Sequence, residues 1–103
     1  MKAIDLKELA GTLSAAWQST VIGTAGGANI KVLRMDSAPR PNDVHNYAEA
    51  LVIVEGRLNL ELDGMLLAVG PGGIFIVPAG LSHAVAAGCY GTLLIVDAVE
   101  VAE

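Results

Sequence analysis

The chain has 103 residues, 53% of them hydrophobic and only 4% aromatic, with a formal net charge of −5. That length supports one core and no second one, and an acidic chain without a basic run excludes nucleic acid, whose phosphates require a cationic patch. A single cysteine, Cys89, rules out an internal disulfide. No apolar segment is long enough to span a bilayer, and the N-terminus lacks the regions of a signal peptide, so residence in the cytoplasm away from membrane is expected.

The first periodic stretch is residues 5–17, where Leu6, Leu9, Ala10, Leu13, Ala16 and Trp17 recur at helical spacing behind Asp5 as N-cap. Gly11 weakens the helix. Residues 1–19 are expected to form a short N-terminal helix or arm whose apolar side covers one end of a barrel or a partner subunit. Trp17 is expected to anchor packing, with ligand stacking the less common alternative. Residues 20–22 read as an edge strand, and residues 23–27 as a flexible turn that lacks the Lys-Ser/Thr ending of a phosphate loop. Residues 30–35 form the next strand. Its Arg34 either projects toward a pocket to hold an acidic substrate or is solvated, the commoner case. Residues 37–42, with Pro39 and Pro41, read as a stiff loop.

Residues 43–83 hold both histidines and most of the sharp turn signals. After Asp43-Val44-His45 and Glu49, residues 50–54 form an apolar strand that ends in a turn at Glu55-Gly56. Residues 57–61 alternate, with Leu58, Leu60 and Leu62 on one parity, the period of a half-buried strand. Asp63-Gly64 suits a tight hairpin, because the pair accepts the positive φ such turns demand. Residues 65–69 return, glycines and Pro71 break the chain, and residues 74–77 form another strand, stopped by Pro78-Ala79-Gly80. His83 then enters a further strand that finishes by residue 87. The two histidines are thus expected at strand starts on either side of an antiparallel meander. Gly88-Cys89-Tyr90-Gly91 reads as a turn carrying an incidental thiol, with no histidine adjoining it to activate a nucleophile. Residues 91–98 supply a long apolar strand, expected to be central, and residues 99–103 a fraying tail. The count comes to roughly eight strands with short connections, as a jelly roll has.

At these residues the chain resembles the cupin superfamily. Asp43-Val44-His45 stands where the first cupin motif has its His-x-His pair, Glu49 follows after three residues, and Gly56 after six more. Gly72, Pro78, Gly80 and His83 match the second motif, whose usual terminal asparagine is replaced by Ala87. The resemblance implies an all-β fold, a double-stranded β-helix or jelly-roll barrel. One cupin domain over residues 1–103 is expected, with the barrel at residues 20–98. A longer spacing before Glu49, also found in small cupins, would put Asn42 and Val44 at the pair and leave His45 unused.

Two histidines and one carboxylate can hold a divalent transition metal, whether Fe, Mn, Ni or Zn, and leave positions open for water, oxygen or substrate. His45, Glu49 and His83 supply that set. Asp43, two residues before His45 and on the same face if the segment is extended, is a candidate fourth ligand. Tyr47 is the first candidate acid or base, with packing the commoner role for such a tyrosine. Singly, each of these residues has an ordinary structural use: Asp43 as a turn acceptor, Glu49 at a strand end, His83 in turn packing. Two function classes follow. One is a metal-dependent oxygenase, isomerase or lyase acting on a small molecule in the barrel. The other is a metal-free module that binds or senses a small ligand. A homodimer through edge strands is expected in either case.

Overall fold

The computed structural model describes residues 1–99, so the expected tail lies, apart from Val99, outside the described residues. One helix, α1 (Leu6–Thr12), precedes eight strands: β1 (Thr20–Ala25), β2 (Ala28–Met35), β3 (Arg40–Asp43), β4 (Glu49–Leu62), β5 (Met65–Val69), β6 (Ile74–Val77), β7 (His83–Val85) and β8 (Tyr90–Ala98). All their pairings are antiparallel, in the order β1-β2-β8-β4-β7-β3, with β5 and β6 also paired to β4. The expected all-β jelly roll with a short N-terminal helix is therefore present.

Asp5 caps α1 as expected, its Oδ1 accepting from the Glu8 N–H at 3.0 Å. The helix stops at Thr12, short of the expected Trp17. Gly11 and Thr12 are adjacent weak helix formers, and Leu13 is already extended. Buried Ala10 lies on this helix, which packs against β2, β8 and β4. Trp17, released from the helix, takes a positive φ of 64°. Its N–H donates to the Arg34 carbonyl at 2.8 Å and its indole to Asp36 Oδ1 at 2.8 Å, so it is the expected anchor.

The largest departure from the sequence reading is in β4. Residues 50–54 and 57–61 were expected as two strands parted by a turn, yet they form one 14-residue strand. Glu49, Leu51 and Ile53 are buried on its first half, and Leu58 and Leu60 on its second, so the inward parity switches between them. A register shift against β8 between Ile53 and Glu55 makes the switch. Gly56, with φ 89°, bends the strand there without ending it. This bend lets one strand serve both layers: β8 and β6 flank its first half, and β5 and β7 its second. The core between the layers is Leu33, Met35, Leu51, Ile53, Leu58, Leu60, Val77 and Leu93, joined by Cys89.

Three smaller differences follow from partners that no local pattern shows. The loop expected at residues 37–42 contains the start of β3, because Arg40 pairs with Val85 on β7. The turn expected at residues 88–91 becomes strand from Tyr90 onward. Cys89 is buried, and its Sγ accepts from the Asn59 N–H at 3.2 Å; burial pushes the thiol above its ordinary value, which makes it a poor nucleophile. The Asp63-Gly64 hairpin is as expected, with φ of 49° and 77°. β8 is central, between β2 and β4.

Candidate metal centre

Strand alternation carries Glu49 inside: it shares the inward parity of Leu51 and Ile53 at the mouth end of β4. His83 opens β7, where it pairs with Leu62 on one side and Asp43 on the other. His45 is not at a strand start, as expected, but in the connection from β3 to β4. The Gly80 N–H donates to the His45 carbonyl at 2.8 Å and ties that connection to the Pro78–Gly80 turn. Both cupin-type motifs are thereby held against each other by backbone.

The three donor groups converge. His83 Nε2 lies 3.3 Å from Glu49 Oε1, His45 Nε2 lies 3.7 Å from the same oxygen, and all three donor atoms fall within 4.8 Å of one another. Two ligands about 2.1 Å from an ion at angles between 90° and tetrahedral stand about 3.0 to 3.4 Å apart, so the cluster is close to ligand spacing. His83 Nδ1 is 3.0 Å from the Leu81 carbonyl. A carbonyl only accepts, so Nδ1 carries the proton, and in the neutral ring Nε2 turns a lone pair toward Glu49. Tyr47 stacks on His45, with centroids 4.9 Å apart and planes 15° from parallel, and steadies that ring.

Electrostatics favours a cation at this spot. Glu49 is only 8% exposed, and among the described residues no lysine or arginine lies within salt-bridge distance of it. Directly across the ladder stands a second buried carboxylate, Asp97, an arrangement that is repulsive unless compensated. Lys31 compensates Asp97, with Nζ 2.8 Å from Oδ2. That hydrogen bond, with the nearby negative charge, holds the lysine above its ordinary 10.5 against the opposing effect of burial. Lys31 also feels the Glu49 charge at longer range. The groups within ion-pair distance of Glu49, however, are the two imidazoles, and a buried carboxylate beside two potential ligand nitrogens suits a cation between them. The residues therefore fit a metal ion by the chemistry of the donor set. Lys31→Met would strand Asp97, whose Oδ1 already lacks a hydrogen-bond partner among the described residues. Its expected cost is about 3 kcal/mol of unfolding free energy at neutral pH, read by urea denaturation. Because the folded pKa of Lys31 lies above the unfolded one, the pair's contribution is complete below pH 10.5 and is lost as pH rises through the raised value. The difference between wild type and variant should accordingly shrink at strongly alkaline pH.

Asp43 stands apart from the three-residue group. Its Oδ2 is 3.6 Å from His45 Nε2, its Oδ1 accepts from the Val44 N–H, and its side chain is mostly exposed. Val44 is 58% exposed, whereas His45 reaches Glu49, so the three-residue spacing is the one that brings an imidazole to the site. Lys31 and Asp97 had gone unassigned in the sequence reading. Their signal is the lone acid of apolar β8 and one of the two bases of β2, which only the β2–β8 pairing connects.

Beside the cluster is a cavity of about 380 Å³. Leu33, Leu51, Leu58, Leu60 and Leu93 give it an apolar floor, while Arg40, Asn42, Asp43 and the three converging residues supply its polar wall. Trp17 also lines it, and Tyr47 does not.

A jelly-roll barrel with imidazoles and a carboxylate gathered at its mouth has the architecture of a cupin. The family model described as the cupin domain matches residues 34–95, more than half of the chain, and the chain belongs to that family. Among solved structures, a cupin-2 domain containing protein from Shewanella frigidimarina is 16% identical with a TM-score of 0.84, over 93% of this chain and 94% of that one. A protein from Neisseria meningitidis is 20% identical with a TM-score of 0.81, over 95% and 100%. A protein from Ralstonia eutropha proposed to be a mannose-6-phosphate isomerase is 21% identical with a TM-score of 0.74, over 97% and 100%. At these identities the likeness is one of fold. No curated protein matches the sequence. Among the described residues no helix is long and apolar enough to cross a membrane.

Proposed function

We propose that this cupin holds a divalent transition metal, Fe, Mn, Ni or Zn, on His45, Glu49 and His83, and acts on a small molecule in the adjoining cavity as an oxygenase, isomerase or lyase. The observation that carries the reading is the convergence of the three donor atoms within 4.8 Å around a buried carboxylate. When bound, the ion would polarise a substrate carbonyl or hydroxyl. The chain's own groups do the rest: the Leu81 carbonyl fixes the His83 tautomer, Tyr47 holds the His45 ring, and the leucine floor keeps water from the buried side of the substrate. Asp43, at the rim, adds negative charge beside His45 and is a reserve ligand. Tyr47 is then a positioning residue more than an acid or base.

Elemental analysis of protein purified without chelator tests this, with about one transition ion per chain expected. Absence of stoichiometric metal, both as purified and after dialysis against Mn, Fe, Ni or Zn salts, would leave a metal-free binding or sensing module in which an imidazolium balances Glu49. The chain is further proposed to pair as a homodimer: Met65 and Leu66 on β5 and Ile74 and Ile76 on β6 are exposed, and sedimentation analysis would show the dimer mass. A single cysteine without a disulfide partner suits the cytoplasm.

A further inference from the structure

We infer that the cavity takes a small organic acid with an apolar body, its carboxylate held by Arg40. The inference names a substrate class for the site just described and rests on that reading only for where the substrate sits.

The first support is the register of β3. Arg40 pairs with Val85 and Asp43 with His83, so three steps along β3 match two along β7. In a regular strand, residues three apart face opposite sides. The extra residue at 41–42 restores a common side, and Arg40, Asp43, Val85 and His83 all line the cavity. Pro41, which has no N–H to lose, suits such an irregularity. The bulge thus places an exposed cation at the open rim of the cavity, on the face that carries the candidate metal ligands.

The second support is charge. Arg40 is the only lysine or arginine lining the cavity, and among the described residues it makes no salt bridge or side-chain hydrogen bond. Of the three arginines, Arg40 is the one without a side-chain hydrogen bond or ion pair among the described residues. Lys7 meets Glu55, Lys31 meets Asp97, Arg57 meets Asn59, and Arg34 donates to the Leu13 carbonyl. Arg34, the sequence-level candidate for an acidic substrate, is thereby committed to the N-terminal arm, and Arg40 holds the vacant fork.

The third support is the match between that fork and the floor. A guanidinium pairs two N–H groups with the two oxygens of a carboxylate. Five leucines below it accept an alkyl or aryl body. Asp43 and Glu49 line the same cavity, so a singly charged carboxylate meets less repulsion than a doubly charged phosphate.

Hexanoate and hexanamide, equal in shape and different in charge, are the probes, titrated by calorimetry into wild type, R40Q and R40K, with and without chelator. Hexanoate should bind wild type at least ~10-fold more tightly than hexanamide, a preference of about 1.4 kcal/mol. The preference should persist in chelator, vanish in R40Q and return in part in R40K, with the ion content of R40Q equal to that of wild type. Equal binding of acid and amide, no binding of either, or a preference that survives R40Q overturns the inference. A preference that survives R40Q yet vanishes in chelator overturns it too, because it places the carboxylate on the ion. Absence of metal with the Arg40-dependent preference intact overturns only the metal reading.

Discussion

Gly91→Ala is expected to leave the chain largely unfolded. Gly91 has φ 97°, and a Cβ built on it would sit 2.2 Å from the Glu55 carbonyl oxygen. Across the ladder its partner Gly56 has φ 89°, and a Cβ there would sit 2.0 Å from the Tyr90 oxygen. Each glycine is therefore required twice, for a left-handed backbone and for the close approach of two chains. The obstacle in both cases is backbone, which cannot swing aside as a side chain can. Strain of this kind together with a backbone collision should cost on the order of 4 kcal/mol or more, a large share of the stability of a chain this size. Loss of the cooperative urea transition, or a midpoint displaced by more than about 1 M, is the expected reading. A variant that melts like wild type would mean that β4 and β8 separate at the bend at little cost. Gly11→Ala, where nothing lies within 4 Å and the site is helical, supplies the control and should be neutral or mildly stabilising.

His83→Ala is expected to weaken metal binding by at least ~10²-fold, since loss of an outer hydrogen-bond partner alone costs 10- to 100-fold and His83 is a direct donor. Thermal unfolding reads this without any knowledge of the substrate. An ion that binds only the folded state adds RT ln(1 + [L]/Kd), about 2.7 kcal/mol when the ion stands at 100 times its Kd. Wild type should show that gain on titration with the ion found by elemental analysis, and the variant should show almost none. The comparison is made within each protein, with and without ion, so the packing lost by removing a buried imidazole cancels. Equal metal-dependent gains in the two proteins would show that the ion, if bound, sits elsewhere.

Most of the strands were legible because their signals are local. Asp63-Gly64, the alternation through Leu58, Leu60 and Leu62, and the Pro78-Ala79-Gly80 stop each act over a few residues, and each lies where it was expected. Asp5 as N-cap was readable for the same reason. β4 was misread because Glu55-Gly56 carries the same local signal for a turn and for a bend. What decides between them is whether another chain continues alongside, and β8 does so, from Glu49 opposite Asp97 to Arg57 opposite Tyr90.

The sequence by itself determined the alternation that buries Leu58 and Leu60, the turn chemistry and the two spaced motifs that mark a cupin barrel, since all of these depend on neighbours within a short reach. Only the tertiary structure decided that His45, Glu49 and His83 meet while Asp43 stays at the rim, that Lys31 pairs with Asp97, and that a bulge sets Arg40 at the cavity rim. Those outcomes depend on register between strands far apart in sequence, and a shift of one residue in register reverses which face every side chain takes.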